Sequence, residues 1–305
     1  MVSKLDFTLQ PGQSLKQRFV TENISPRVSI ITPFYNTLEH FEQMYNSVLN
    51  QTFPWFEWII VDDGSTDQKA LEQLERLAAQ DQRITVYHVE NGGPAMARNY
   101  GVEQATTDYI VFIDSDDMVE PVFLECLYLA LQLNPKASWA YSDIVTIGVR
   151  EFLWKKDFSS AMMKRENLLT VMAMIRRSAF DDVGGFDVMG RYYNEDWHMW
   201  LKLLSKGHFP VHIEQYLAWY RNGEKGAMSA LDNDDSLVQK NQEKIREISE
   251  KVPDDIFAVT YHANKWKLFE DLSPWDFATP LPFARKKKRI LYIIPHIVMG
   301  GADKF

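Results

Sequence analysis

Apolar and polar positions follow two periods along this chain. Short apolar runs at Arg27–Thr32, Trp58–Val61, Ile84–Tyr87 and Tyr109–Ile113 read as strands. Between them, apolar residues recur at three-and-four spacing, as on one face of a helix. One set is Leu38, Phe41, Tyr45, Val48 and Leu49, and the next is Leu71, Leu74, Leu77 and Ala78. Thr37 is placed to cap the first helix, and Pro94 to open a third that runs to about Gln104. The order β-α-β-α-β-α-β predicts an α/β fold: a mostly parallel, doubly wound, Rossmann-like sheet with helices on both faces. Tyr109–Ile113 is apolar at every position, as in a strand buried on both faces at the centre of such a sheet.

The pattern loosens afterwards. A helix near 120–133, with Pro121 at its start, precedes a short strand at Ser138–Tyr141. Residues 143–168 read as a long irregular segment of the kind that forms binding loops, and Leu169–Ile175 as a strand. A helix opens at Glu195, carries Trp197, Trp200, Leu201, Leu203 and Leu204, and stops near Gly207. One or two short strands over 209–220 and a polar helix over 233–250 come next. Trp266, Leu268, Phe269, Leu272 and Trp275 suggest a further packed helix. A basic run, Arg285–Arg289, then leads into an apolar strand, Ile290–Pro295, and the glycine pair Gly300-Gly301.

Length and charge narrow the classes. The 305 residues suffice for one large α/β domain or two small ones. A formal net charge of −9 argues against a nucleic-acid binder. Cys126 is the single cysteine, so no internal disulfide forms, and its helical setting makes it a core residue. No signal peptide is visible before Gln17, and no run is long enough to span a bilayer. A cytoplasmic protein is expected, with a place at the inner face of the membrane as the alternative.

Candidate chemistry gathers at strand ends. Tyr109–Ile113 runs into Asp114, Asp116 and Asp117. On an extended segment Asp114 and Asp116 point the same way, and paired carboxylates repel unless a cation lies between them. Hard oxygen ligands suit Mn²⁺ or Mg²⁺, ions that commonly share their coordination with a substrate's phosphates. The plainer reading makes Asp117 a starter for the helix at Glu120-Pro121. Right-handed crossovers place loops 33–37, 62–67 and 114–117 on one edge of the sheet, where ligands bind in open α/β folds. Glu195 and Asp196 open a helix; the dipole alone favours carboxylates there, and a general base is the functional alternative.

Five segments in order carry a resemblance: Val28–Asn36, Ile60–Asp67, Ala97–Gly101, Asp114–Asp117 and Glu195–Trp197. Together they resemble the motif series of family 2 glycosyltransferases with the GT-A fold, over roughly residues 27–221. The resemblance implies a nucleotide-sugar site at Pro33, Tyr35, Asp62, Asp63, Gly92, Gly93, Arg98, Asp114 and Ser115. Tyr35 would stack on the base, and Asp63, or else Asp62, would accept a hydrogen bond from base or ribose. Gly92 and Gly93 would let backbone approach the ligand, and Arg98 would pair with the diphosphate. Asp116 would bind Mn²⁺ or Mg²⁺ directly, and Asp114 the ribose or the metal's water. Asp196 would be the general base, with Glu195 as the alternative, and attack opposite the leaving diphosphate would invert the anomeric centre. Trp200 reads as core and Trp197 as core or acceptor platform. Tyr220-Arg221 is followed by Asn222, not by the His that some relatives carry, so a third protein ligand for the metal is missing from the motif.

The implied activity is metal-dependent, inverting transfer of a sugar, with UDP as the carrier. The acceptor would be a glycan or a lipid-linked glycan in polysaccharide or cell-envelope synthesis. The implied organisation is an arm (1–26), a GT-A domain (27–221, its nucleotide half 27–117 and acceptor half 118–221) and a helical extension (222–284). Residues 285–305 would be a basic linker and the first strand of a following domain that resembles the start of a GT-B glycosyltransferase. The run at 285–289 reads as a solvated linker, with peripheral membrane association as the alternative. Two rivals remain. A haloacid dehalogenase-type phosphatase also carries Asp-x-Asp after a strand, but wants a Thr soon after, where this chain has Met118. A module that binds nucleotide sugar or glycan without catalysis would tolerate loss of Asp196.

Overall fold

A computed structural model of the chain describes residues 25–188, 194–223 and 235–261. Residues 1–24 of the expected arm (1–26), the helix bearing Trp266 and Trp275, and the segment 285–305 lie outside the described residues.

The first half builds as its periodicity predicts. Strands β1 (Val28–Phe34), β2 (Phe56–Asp63), β3 (Ile84–Val89) and β4 (Tyr109–Phe112) alternate with helices α1 (Phe41–Leu49), α2 (Gln68–Ala78) and α3 (Pro94–Gln104). β1 lies between β2 and β4, parallel to both, with Ile30 opposite Trp58 and Val111. Alternation along β1 sends Val28, Ile30 and Phe34 into one core and Ile31 into the other. α1 and α2 pack on the first face through Phe41, Met44, Leu74 and Leu77. α3 packs on the second through Ala95, Ala97 and Val102. A sheet covered on both faces needs strands apolar at nearly every position, which is what β2 and β4 supply.

The second half adds β5 (Met118–Val119), α4 (Phe123–Leu133), β6 (Trp139–Gly148), β7 (Phe152–Trp154), α5 (Ser160–Met163), β8 (Ala173–Arg176) and α6 (Arg177–Asp182). After these come α7 (Glu195–Ser205), β9 (Pro210–Asn222), α8 (Asp235–Ser249) and β10 (Val259–Tyr261). The main sheet runs β10-β9-β6-β8-β4-β1-β2-β3. It is mostly parallel, but β8 lies antiparallel to both β4 and β6 in its middle.

Several boundaries differ from the sequence reading. Half of the expected irregular loop 143–168 is regular: β6 continues to Gly148 and pairs with β7. The apolar run from Leu169 yields a strand only from Ala173, because Leu169, Val171 and Met172 are buried in a turn. β9 is one long strand where one or two short ones were expected, interrupted by a bulge opposite Ser142 and Asp143. α1 starts at Phe41 without a side-chain cap; Thr37 bonds elsewhere and Leu38 is exposed. α4 starts at Phe123, and Asp117 does not cap it. The segment after residue 222 is not purely helical, since β10 returns to the sheet beside β9. Trp200 is core, stacked on Trp139 at 5.6 Å. Trp197 is half-buried, its indole N–H donated to the Met163 carbonyl at 2.6 Å. Cys126 packs against the core, and burial pushes its thiol up to about 12.

Candidate active site

The carboxyl ends of β1, β2 and β4 meet through side chains. Asn36 adopts a left-handed backbone, φ 53°, tolerable for Asn where most residues are strained. Its Oδ1 accepts from the amides of Thr66 and Asp67, both at 2.8 Å, and its own amide donates to Ser65 Oγ at 2.9 Å. The Thr37 and Ser115 hydroxyls share a hydrogen bond of 2.7 Å. Loops 33–37, 62–67 and 114–117 are thereby tied to one another. Tyr35 stands on this edge with 40% of its surface exposed, and Pro33 is half-buried opposite Val61.

Both aspartates of the second loop are built into the frame. Asp63 Oδ1 accepts from the Gly92 amide at 2.7 Å and Oδ2 from the Gly93 amide at 2.9 Å. Gly93 caps α3 with φ 88°, a backbone that favours glycine. The anion at this helix start is therefore the chain's own carboxylate. Asp62 accepts from the Ser65 amide at 3.1 Å and bonds His88 Nδ1 at 2.8 Å. His88 also reaches Glu75 at 3.1 Å, and its hydrogen bond to Asp62 pushes it above the usual imidazole range. Nothing in the periodicity singled out His88; its place opposite Asp62 appears only with the β2–β3 register.

Arg98 joins the two halves of the cleft. It is 3% exposed, and its guanidinium bonds Asp114 Oδ1 at 2.6 Å and Glu195 Oε1 at 2.8 Å. Burial alone would lower its pKa; Asp114 and Glu195 outweigh that and hold it above the ordinary value. Phe186 lies with its ring centroid 5.5 Å from the guanidinium carbon. In this structure the cation that the sequence reading offered to a diphosphate is taken up by two carboxylates of the chain.

The acidic loop is held from the far side by β9. The Arg221 amide donates to Asp117 Oδ1 at 2.7 Å, its Nε to the Asp116 carbonyl at 3.0 Å, and its Nη2 to Gln43 at 2.8 Å. Burial, then the charge of Asp114, pushes Asp116 up to about 6. Burial, then Asp116 and Asp114, holds Asp117 well above the carboxylate range. Tyr220 is raised by burial and then by the charges of Asp117, Asp196, Asp114 and Asp116. Sequence reading left Tyr220 and Arg221 without a role; their signal was a Tyr-Arg pair at the end of an apolar strand. Among the described residues no group of three or more His, Cys, Asp or Glu side chains could hold a metal ion. The donor set at Asp114 and Asp116 is two hard carboxylates, of which Asp114 is paired with Arg98 and Asp116 is not. It fits a divalent cation whose remaining ligands are oxygens from outside the protein.

Asp196 lies in the first turn of α7. Its Oδ2 accepts from Asn167 Nδ2 at 3.2 Å and its Oδ1 from the Trp197 amide at 2.7 Å. Burial, then the neighbouring Glu195, pushes its carboxyl up to about 7. Such a group is poised to take a proton near neutral pH. Asn167, which orients it, carried no signal in the sequence.

The family model for Glycosyl transferase family 2 matches residues 29–196. TuaG of Bacillus subtilis (strain 168), a glycosyltransferase assigned to teichuronic acid biosynthesis, is 32% identical over 210 residues, which is 65% of this chain and 80% of TuaG. Glycosyltransferase GlyG of Streptococcus pneumoniae is 40% identical over 110 residues, 36% of each chain. The chain thus spans about a third of GlyG, and 13% of a Rickettsia bellii glycosyltransferase with which it shares 44% identity. Among solved structures, S. aureus TarS 1-349 in complex with UDP-GlcNAc superposes with a TM-score of 0.57 at 22% identity, over 67% of this chain and 61% of TarS 1-349. The mannosyltransferase PcManGT of Pyrobaculum calidifontis, with GDP-Man and Mn²⁺, gives 0.52 at 17%, over 74% of this chain and 70% of its own. At these identities the two structures speak to the fold.

Proposed function

Since this chain belongs to glycosyl transferase family 2, we propose that its cleft moves a sugar from a nucleotide sugar, UDP-linked, onto a hydroxyl of a glycan or lipid-linked glycan, with inversion. The observation that carries this reading is the buried bridge at Arg98. It holds the strand-end carboxylate Asp114 and the helix-start carboxylate Glu195 at 2.6 and 2.8 Å from one guanidinium. The strand edge read here as the donor side and the helix read as bearing the base are thereby joined by one side chain. TarS with UDP-GlcNAc and TuaG in teichuronic acid biosynthesis support the choice of carrier and of a polysaccharide product.

Tyr35 offers the base an exposed ring. Asp62 and Asp63, fixed by His88 and the Gly92 and Gly93 amides, present their remaining lone pairs to base or ribose. Asp116, with Asp114, would hold Mn²⁺ or Mg²⁺, which when bound neutralises charge on the departing diphosphate. Asp196 takes the proton of the acceptor hydroxyl as its oxygen bonds the anomeric carbon. The bond to the diphosphate breaks on the opposite side, and its electron pair leaves with the nucleotide. Asn167 and the Trp197 amide hold Asp196 in place for that step.

Family membership sets the phosphatase reading aside. Calorimetry with UDP- and GDP-sugars, with Mn²⁺ or with chelator, tests the donor site. Wild type is expected to bind a UDP-sugar only with metal, and Asp116→Ala to lose at least about tenfold in affinity, some 1.4 kcal/mol. Metal-independent binding that survives Asp116→Ala would contradict the assignment.

A further inference from the structure

The β6–β7 hairpin ends in an exposed apolar tip. Val149, Phe152 and Leu153 are 58%, 47% and 64% exposed. Three such residues within five positions differ from the single apolar side chains scattered on any surface. Alternation along β7 puts Phe152 and Leu153 on opposite faces, so the tip is apolar on both sides.

This tip is fixed, and fixed beside the cleft. Gly148 has φ +102°, and a Cβ there would lie 2.2 Å from the Asn222 carbonyl oxygen, so the turn closes on β9 only with glycine. The Val149 amide donates to that carbonyl at 3.1 Å and the Arg150 amide to Asn222 Oδ1 at 3.0 Å, while Asn222 Nδ2 donates to the Arg150 carbonyl at 2.9 Å. Asn222 directly follows Arg221, which grips Asp116 and Asp117. The hairpin therefore projects from the sheet edge that carries the acidic loop.

A tip apolar on both sides is poorly buried by a flat partner surface and well buried by a fluid medium that surrounds it. Its base has the composition of a membrane interface: Trp154, half-buried, with Lys156 Nζ 5.4 Å from its ring, and Lys155 beside it. Over 149–157 three basic residues, Arg150, Lys155 and Lys156, face two acidic ones, Glu151 and Asp157, in a chain of formal net charge −9. Glu166 and Glu214 pair with the two lysines at the base, and Asp143 lies 4.0 Å from Lys155, so insertion of the apolar tip, not net charge, supplies the attraction.

We infer that this hairpin docks on the surface of a phospholipid bilayer, with Val149, Phe152 and Leu153 entering the boundary of the acyl chains and Arg150, Lys155 and Lys156 at the phosphate headgroups. The docking stands on the hairpin alone. Only its use, to set the cleft over a lipid-linked acceptor, rests on the proposed transfer.

Flotation of the full chain with vesicles tests it, using phosphatidylcholine alone and phosphatidylcholine mixed with anionic phosphatidylglycerol. Wild type is expected to float with both vesicles. The double variant Phe152→Ser, Leu153→Ser should partition roughly a hundredfold less while melting at the wild-type temperature and binding nucleotide as wild type does. A second variant, Lys286→Gln, Lys287→Gln, Lys288→Gln, should keep the hairpin-dependent flotation. Absence of wild-type flotation with either vesicle would overturn the inference. So would equal flotation of the double variant, or loss of flotation in the lysine variant alone. A vesicle-free dimer that the double variant dissolves, with no flotation, would assign the tip to a second copy instead. Flotation reads no sugar transfer, so its failure and that of the proposed activity are separable.

Discussion

Arg98 is the side chain whose loss should be felt most widely. Its guanidinium is buried between Asp114 and Glu195, so Arg98→Ala leaves two carboxylates facing each other without a cation. Breaking a buried charge network by removing one partner costs about 3–5 kcal/mol, to be read as a lower urea midpoint. Arg98→Lys keeps the charge but lacks the planar fork that reaches both acids, and should fall between. An unchanged midpoint in Arg98→Ala would mean the bridge does not hold the cleft together. Asp196 makes a second residue-scale prediction through its carboxyl, pushed up to about 7 by burial and by Glu195. A base works only when deprotonated, so transfer should rise with pH through about 7 and then level off. The same shift has a stability sign. The fold binds this proton more tightly than the unfolded chain, so the group's contribution is fully present below its unfolded pKa of about 4 and is lost as pH rises through about 7. Asp196→Asn should therefore melt several degrees above wild type at about pH 8 and converge with it near pH 4. No pH dependence in that difference would show Asp196 to be an ordinary carboxylate.

At the scale of elements, the loop at the end of β1 holds the strand-end loops together through one residue. Asn36→Gly keeps the left-handed backbone open but deletes the acceptor for the Thr66 and Asp67 amides. A loss of about 1–2 kcal/mol in unfolding free energy is expected, together with weaker nucleotide binding. Asn36→Ala should lose more, since it adds backbone strain. Equal stability of all three would deny the loop its role. The elements of the first half were legible because each β-α unit is local: apolar runs and helical spacing fix β1 to β4, and the crossover rule fixes which ends meet. The other half was not, for physical reasons visible in particular strands. β8 is a short antiparallel insertion within an apolar stretch whose burial says nothing of its hydrogen bonds. The bulge in β9 breaks the alternation that would have shown one long strand. Candidate residues stand out in the sequence where a motif sits on a strand end, as at Asp114 and Asp116. Arg98, Asp62, Asp63, Glu195, Gly92 and Gly93 were all singled out, but not which of them pair, because these residues and His88 are neighbours only in space. Asn167, Tyr220 and Arg221 act through the same long-range proximity.

For the whole molecule, one ten-stranded sheet with a core on each face carries the cleft at one edge. β10 brings the chain back to that sheet beside β9, and α8 packs against α7, the helix that bears Glu195 and Asp196. No helix among the described residues is long and apolar enough to cross a membrane. In the proposed function this single edge binds a nucleotide sugar and activates the nucleophile that displaces its carrier. The most direct measurement is turnover of a UDP-sugar with Mn²⁺ and a panel of glycan and lipid-linked acceptors, followed by proton NMR, for wild type and Asp196→Asn. The expected result is nucleoside diphosphate and a glycoside of inverted anomeric configuration from wild type. Asp196→Asn should be slower by about 10²–10⁴-fold with donor affinity unchanged. Turnover in the variant at the wild-type rate, or a product of retained configuration, would contradict the account.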